Sequence, residues 1–137
     1  MLSAAAINIT AVLIAALANM AIGALWYSKL LFQNPWADML GRKMEDMRGK
    51  NAIQGYISAA LASLVMSYIF ALVIETTQAR DAISGASIGF WLWLGFVATT
   101  TMVDYVFAGH RKKLYLINVG YPLVSLLVMG AILGALK

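Results

Sequence analysis

Stretches without charge alternate with charged ones along this chain, and the alternation dictates its architecture. Residues 1–28, 51–74, 82–103 and 114–136 carry no charged side chain, and every charge lies between or beside them. A hydrocarbon layer about 30 Å thick is crossed by roughly 20 apolar residues rising about 1.5 Å each in a helix. The shortest run has 22 residues, so each of the four is long enough to span. The pattern predicts an all-α polytopic membrane protein, a bundle of four transmembrane helices at about 5–32, 51–76, 82–108 and 113–136. Residues 1–137 read as one transmembrane domain in which 33–50 is the only connection longer than a tight turn.

Composition strengthens this reading. Apolar residues make up 62% of the chain and charged ones 12%, and the mean hydropathy is +0.80. A water-soluble chain of 137 residues has no core large enough to hide that much apolar surface. The first run resembles a secretory signal only in its position. No Lys or Arg precedes it, and it is about twice as long as an apolar signal core, so it is expected to stay as a span. The absence of cysteine excludes disulfides and thiolate chemistry. The net charge of +4 lies beside the spans, where headgroups and topology call for it, so the expected partner is the lipid bilayer and not nucleic acid.

The placement of the cations gives an orientation. Lys29, Arg42, Lys43, Arg48 and Lys50 flank or fill the first connection, and Arg111, Lys112 and Lys113 fill the third. By the positive-inside rule, 33–50 and 109–113 are cytoplasmic and both termini face outward. Trp26, Tyr27, Phe32, Trp36, Tyr56, Tyr105, Phe107 and Tyr115 fall near that same interface, where amphipathic rings are favoured. Within 33–50, Asn34-Pro35 ends the first helix. Beyond it, Trp36, Met39, Leu40, Met44 and Met47 recur at helical spacing, which fits either a short interfacial helix or an ordered polar loop.

Small residues mark where helices can approach. Gly55, Ala59, Ser63, Ser67 and Ala71 follow one another every fourth position in the second run; Gly85 and Gly89, then Gly130 and Gly134, repeat that spacing in the third and fourth. In lipid, close backbone packing and interhelical hydrogen bonds hold helices together, so these rows are expected either to pack within the chain or to form a dimer face. Pro122 has no N–H for the carbonyl of Asn118, so a kink is expected there.

Polar residues inside the spans are few. Asp104 lies about five residues from the cytoplasmic end of the third helix and Asn118 about five from that end of the fourth, a shared depth of roughly 7–8 Å. Thr100, Thr101, Tyr27 and Gln54 fall near the same level, so these six define a candidate polar pocket. Asp104 either pairs with a nearby cation to fix the helices or serves a ligand or proton. Asn19, near the middle of the first helix, is expected to hydrogen-bond to a neighbour. His110 is the single histidine, and no metal spacing, carboxylate pair or nucleophile relay accompanies it. Neither a metal nor another cofactor is expected, and no catalytic residue is assigned.

Several short motifs carry a resemblance. Gly23-Ala24-Leu25-Trp26-Tyr27-Ser28 with Leu31-Phe32 and Pro35-Trp36, then Trp93-Leu94-Gly95-Phe96, then Leu116-Ile117-Asn118-Val119-Gly120-Tyr121 with Met129-Gly130-Ala131-Ile132, resemble domain-of-unknown-function family 1761 over nearly the whole chain. The resemblance implies a small bacterial inner-membrane protein with four helices, and it draws attention to Trp26, Tyr27, Trp93, Gly95, Asn118 and Tyr121. It implies no activity. The function expected is that of a non-enzymatic structural or interaction component, packing as a homo-oligomer or beside a membrane protein partner. The alternative is a small-solute channel or transporter with a polar pocket on its cytoplasmic side.

Overall fold

A computed structural model describes residues 7–28 and 50–136, the side chains of residues 50–52 excepted. Four helices follow in order: α1 (Ile9–Trp26), α2 (Lys50–Thr77), α3 (Ala82–Ala108) and α4 (Lys112–Ala135). All four are long and apolar enough to cross a membrane, and the described residues form an all-α four-helix bundle. The motif residues at 31–36 and the amphipathic pattern at 36–47 lie outside the described residues.

Local chemistry sets the helix ends. α1 starts later than its uncharged run because Asn8 caps it, the side chain accepting from the Ala11 N–H at 3.3 Å. The same Asn8 donates through Nδ2 to the Leu136 carbonyl at 2.7 Å, which ties the start of α1 to the end of α4. α1 also stops earlier, at Trp26, with Tyr27 and Ser28 in a turn in which the Ser28 hydroxyl donates to the Leu25 carbonyl. Asp81 caps α3 by accepting from the Ser84 N–H at 2.8 Å, and Gly109, at φ 70°, closes it in the left-handed conformation that glycine adopts without strain.

α4 is the hub, packing against each of the other three helices, most extensively against α3; α2 leans mainly on α1. The apolar core gathers where α1 begins and α4 ends, from Ala11, Val12, Ala15, Phe70, Ile74, Met129 and Leu133 among others. There α3 and α4 touch backbone to backbone. A Cβ on Gly85 would stand 1.9 Å from the Gly130 carbonyl oxygen, one on Gly89 2.2 Å from that of Leu126, and one on Gly134 2.3 Å from that of Asp81. Such approach lets dispersion act along two bare backbones, the attraction available in lipid where apolar burial gives little net drive.

Two irregularities distinguish the other end. α3 passes through a π-helical segment, Trp93–Ala98, between regular helix on either side, and α4 runs through Pro122 without interruption of its helical assignment. The small-residue row on α2 is divided as well. Ser63, Ser67 and Ala71 are buried, while every residue from Ile53 to Ala59 is exposed and nothing stands within 4 Å of a Cβ placed on Gly55.

Candidate functional site

Pro122 organises the site. Without an N–H it gives nothing to the Asn118 carbonyl, and its ring crowds the turn before it, where the carbonyls on either side of Asn118 take donors from other helices. Two indoles supply them. Trp26, at the end of α1, donates Nε1–H to the Ile117 carbonyl at 2.9 Å, and Trp93, at the start of the π segment, donates to the Val119 carbonyl at 2.8 Å. An indole N–H withdrawn from water needs an acceptor, and a helix turn ahead of a proline supplies one. Gly120 makes room: a Cβ there would stand 2.8 Å from Cζ2 of Trp26.

Between those two carbonyls lies Asn118. Its side-chain oxygen accepts from the Tyr27 hydroxyl at 2.8 Å, and its amide Nδ2 donates to the Tyr105 hydroxyl. Asn118 thereby joins α1, α3 and α4 at one level. Aromatic rings enclose it: Tyr27 meets Tyr121 edge-on at 5.9 Å between centroids, and Tyr105 lies 5.7 Å from Tyr115 and 5.2 Å from the His110 ring. The Tyr115 hydroxyl donates across to the Ala98 carbonyl at 2.8 Å, the last residue of the π segment.

A second polar cluster sits deeper. Asn19, 3% exposed, donates Nδ2–H to the Ser63 hydroxyl at 2.6 Å, and its Oδ1 accepts from Tyr121 at 2.6 Å and from Ser125. Nearby, the Ser67 hydroxyl donates to the Val12 carbonyl at 2.7 Å. Tyr121 links the two clusters, its ring against Tyr27 and its hydroxyl on Asn19. A Cβ on Gly23 would come within 3.2 Å of that ring, so Gly23 leaves Tyr121 its place. Among the described residues, every buried side-chain nitrogen and oxygen has a hydrogen-bond partner.

Of the six residues proposed for a polar pocket, the structure brings two into contact, Tyr27 and Asn118. Asp104, Thr100 and Gln54 are exposed on the outside of the bundle and Thr101 is half-buried. Thr100 turns its hydroxyl back to the Phe96 carbonyl. The third member of the site is Tyr105, the neighbour of Asp104 in sequence. Of the motif positions, Trp26, Tyr27, Trp93, Asn118 and Tyr121 converge here, while Gly95 lies exposed inside the π segment with open space around it. Among the described residues no three His, Cys, Asp or Glu side chains gather to hold a metal. The sequence marks Tyr105 and Tyr115 only as interfacial aromatics and gives no sign of Ser125, although Ser125 stands one turn beyond Tyr121.

The fold and this interior define a class: a four-helix polytopic membrane protein whose helices are joined by glycine contacts and by aromatic and amide hydrogen bonds. The chain belongs to the family of proteins of unknown function DUF1761, whose sequence profile matches residues 10–134. Searches of curated proteins and of solved structures give no match.

Proposed function

We propose that this protein acts as a non-enzymatic interaction component of the bacterial cytoplasmic membrane, a single domain that associates with a second copy or with another membrane protein. The observation that carries the reading is how the polar and small residues are distributed. Inside the bundle, Asn19, Asn118 and the tyrosines are engaged with one another and with backbone carbonyls. On the outside, the first three turns of α2 present Gly55 and Ala59, continuing the row that packs through Ser63 and Ser67 against α1. A surface of that kind supports close helix approach from outside the chain. The Asn118 site holds phenols and not the Asp104 carboxylate, so the transport alternative ranks second. By the cation bias, the termini face outward and 33–50 and 109–113 lie in the cytoplasm.

The test is the mass of the complex isolated in mild detergent. The wild type is expected as a defined oligomer or with one co-purifying membrane protein, and Gly55→Leu with Ala59→Leu should release a folded monomer. A wild type that is monomeric and alone over a hundredfold range of concentration would sink the reading.

A further inference from the structure

The π segment displaces the second half of α3 by one residue, and the bonds to α4 record it. Trp93 and Tyr105, which meet the adjacent residues Val119 and Asn118, stand twelve residues apart, where three turns of plain α-helix take about eleven. A π turn bonds i to i+5 in place of i+4 and so accommodates one extra residue. Each residue turns a helix by about 100°, so everything beyond Ala98 is rotated by that angle relative to a continuous α-helix. Continuing the first half of α3 as plain α-helix would put Asp104 at the angular position Tyr105 now holds, facing Asn118.

We infer that α3 is a register switch, in which conversion of Trp93–Ala98 from π to α exchanges the Tyr105 phenol for the Asp104 carboxylate at the Asn118–Tyr27 site. The exchange is chemically coherent, because the Asn118 amide donates to Tyr105, and a carboxylate oxygen accepts the same N–H. Asn118 Oδ1 keeps its bond from Tyr27 in both registers. The turning part is also free to turn. Thr99–Ala108 contains no buried residue, and Gly109, in the left-handed conformation, provides a swivel at its far end. What holds the observed register is the Asn118–Tyr105 bond together with one bond at each end of the π segment, from Trp93 to Val119 and from Tyr115 to Ala98. The switch turns a phenol-lined site into an acid-bearing one, and it operates whether or not the chain associates as proposed above.

The natural absence of cysteine makes the test direct. Asn118→Cys is paired with Asp104→Cys or with Tyr105→Cys in the full-length chain, and disulfide formation is followed in membranes under a mild oxidant. Both pairs are expected to form, the 105 pair in excess. Tyr115→Phe, which releases one end of the π segment, should raise the ratio of 104 to 105 product severalfold. Deletion of Gly95, which removes the extra residue and leaves Tyr105 in place on plain α-helix, should reduce the 104 product at least tenfold. No 104 product in any background, or a ratio indifferent to Tyr115→Phe, overturns the switch. A 104 product that persists after the deletion marks indiscriminate motion and overturns it too. If the deletion variant does not fold, the Tyr115→Phe ratio decides alone.

Discussion

The two ends of the α3–α4 pair are held by opposite means. From Asp81 to Gly89 against Leu126 to Gly134, backbone lies on backbone, and carbonyl oxygens occupy the space where side chains would be. From Trp93 to Tyr105 against Tyr115 to Val119, the helices are bridged by long aromatic side chains that reach carbonyls and an amide. The first contact is strong through area and tolerates no added atom. The second is a set of separate directional bonds, each worth little in a membrane, with room between the helices for backbone irregularity. That difference explains why both the π segment and Pro122 lie at or beyond the inner edge of the glycine contact, on the side where side chains set the spacing. Irregular backbone at membrane depth persists where protein donors satisfy it, and here Trp26, Trp93 and Tyr115 are the donors.

The glycine end is most vulnerable at Gly85. A leucine there drives its Cβ into the Gly130 carbonyl, and neither backbone can yield without parting the helices. Overpacking costs about 1–3 kcal/mol and at times more, and a backbone obstruction that no rotamer can relieve belongs at the upper end. Gly85→Leu should therefore lose most of its thermal transition in detergent, or fail to accumulate. Gly95→Ala is the contrast, since nothing lies within 4 Å of the new methyl, and it should melt within a degree or two of the wild type. Equal losses from the two substitutions would refute the claim that the glycine end depends on bare backbone.

At the aromatic end the effects are smaller and separable. Trp93→Phe and Trp26→Phe each remove one N–H donor while keeping a ring, and interhelical hydrogen bonds in membranes are worth roughly 0.6–2 kcal/mol each. Each variant should unfold in denaturing detergent at a modestly lower fraction of denaturant. The double variant should lose slightly more than the sum, because Ile117 and Val119 flank the same residue of α4 and their carbonyls share its backbone. A double variant no weaker than either single one would mean that the two indoles do not brace this turn independently.

The same contrast explains which parts of the molecule a sequence reveals. The spans are legible because the lack of charge over more than twenty residues has one physical solution, and glycines four apart are legible because the spacing matches one helix face. Tyr105 is legible only as an interfacial aromatic, because charge and depth select Asp104 level with Asn118 while depth does not say which face a side chain takes, and the π segment turns the next residue to Asn118. No residue type announces a π turn. The end of α1 was hidden as well, because Trp26 and Tyr27 extend the uncharged run while their bonds to Ile117 and Asn118 carry the chain toward α4. Gly55 and Ala59 show the limit of spacing as a signal. It marks where a neighbour can approach, and within the described part of this chain none does.

Acid acts on the glycine end more gently, through Asp81. Its carboxylate accepts from the Ser84 N–H and hydroxyl, and the backbone bond first of all holds its pKa below the ordinary carboxylate value. Its carbonyl is also the atom nearest Gly134, so the cap sits at the outermost point of the glycine contact. A lowered folded pKa means that the unfolded chain takes up the proton first. The cap's contribution is complete above the unfolded value of about 3.9 and is lost as pH falls through the lower folded value. Between about pH 5 and pH 2 the wild-type Tm should therefore decline by a small increment that Asp81→Asn lacks, since asparagine caps a helix without titrating. The aromatic variants should keep the full increment, because the indole bonds they lose do not ionise. An acid-induced decline that survives unchanged in Asp81→Asn would assign it elsewhere and detach the cap from the glycine contact.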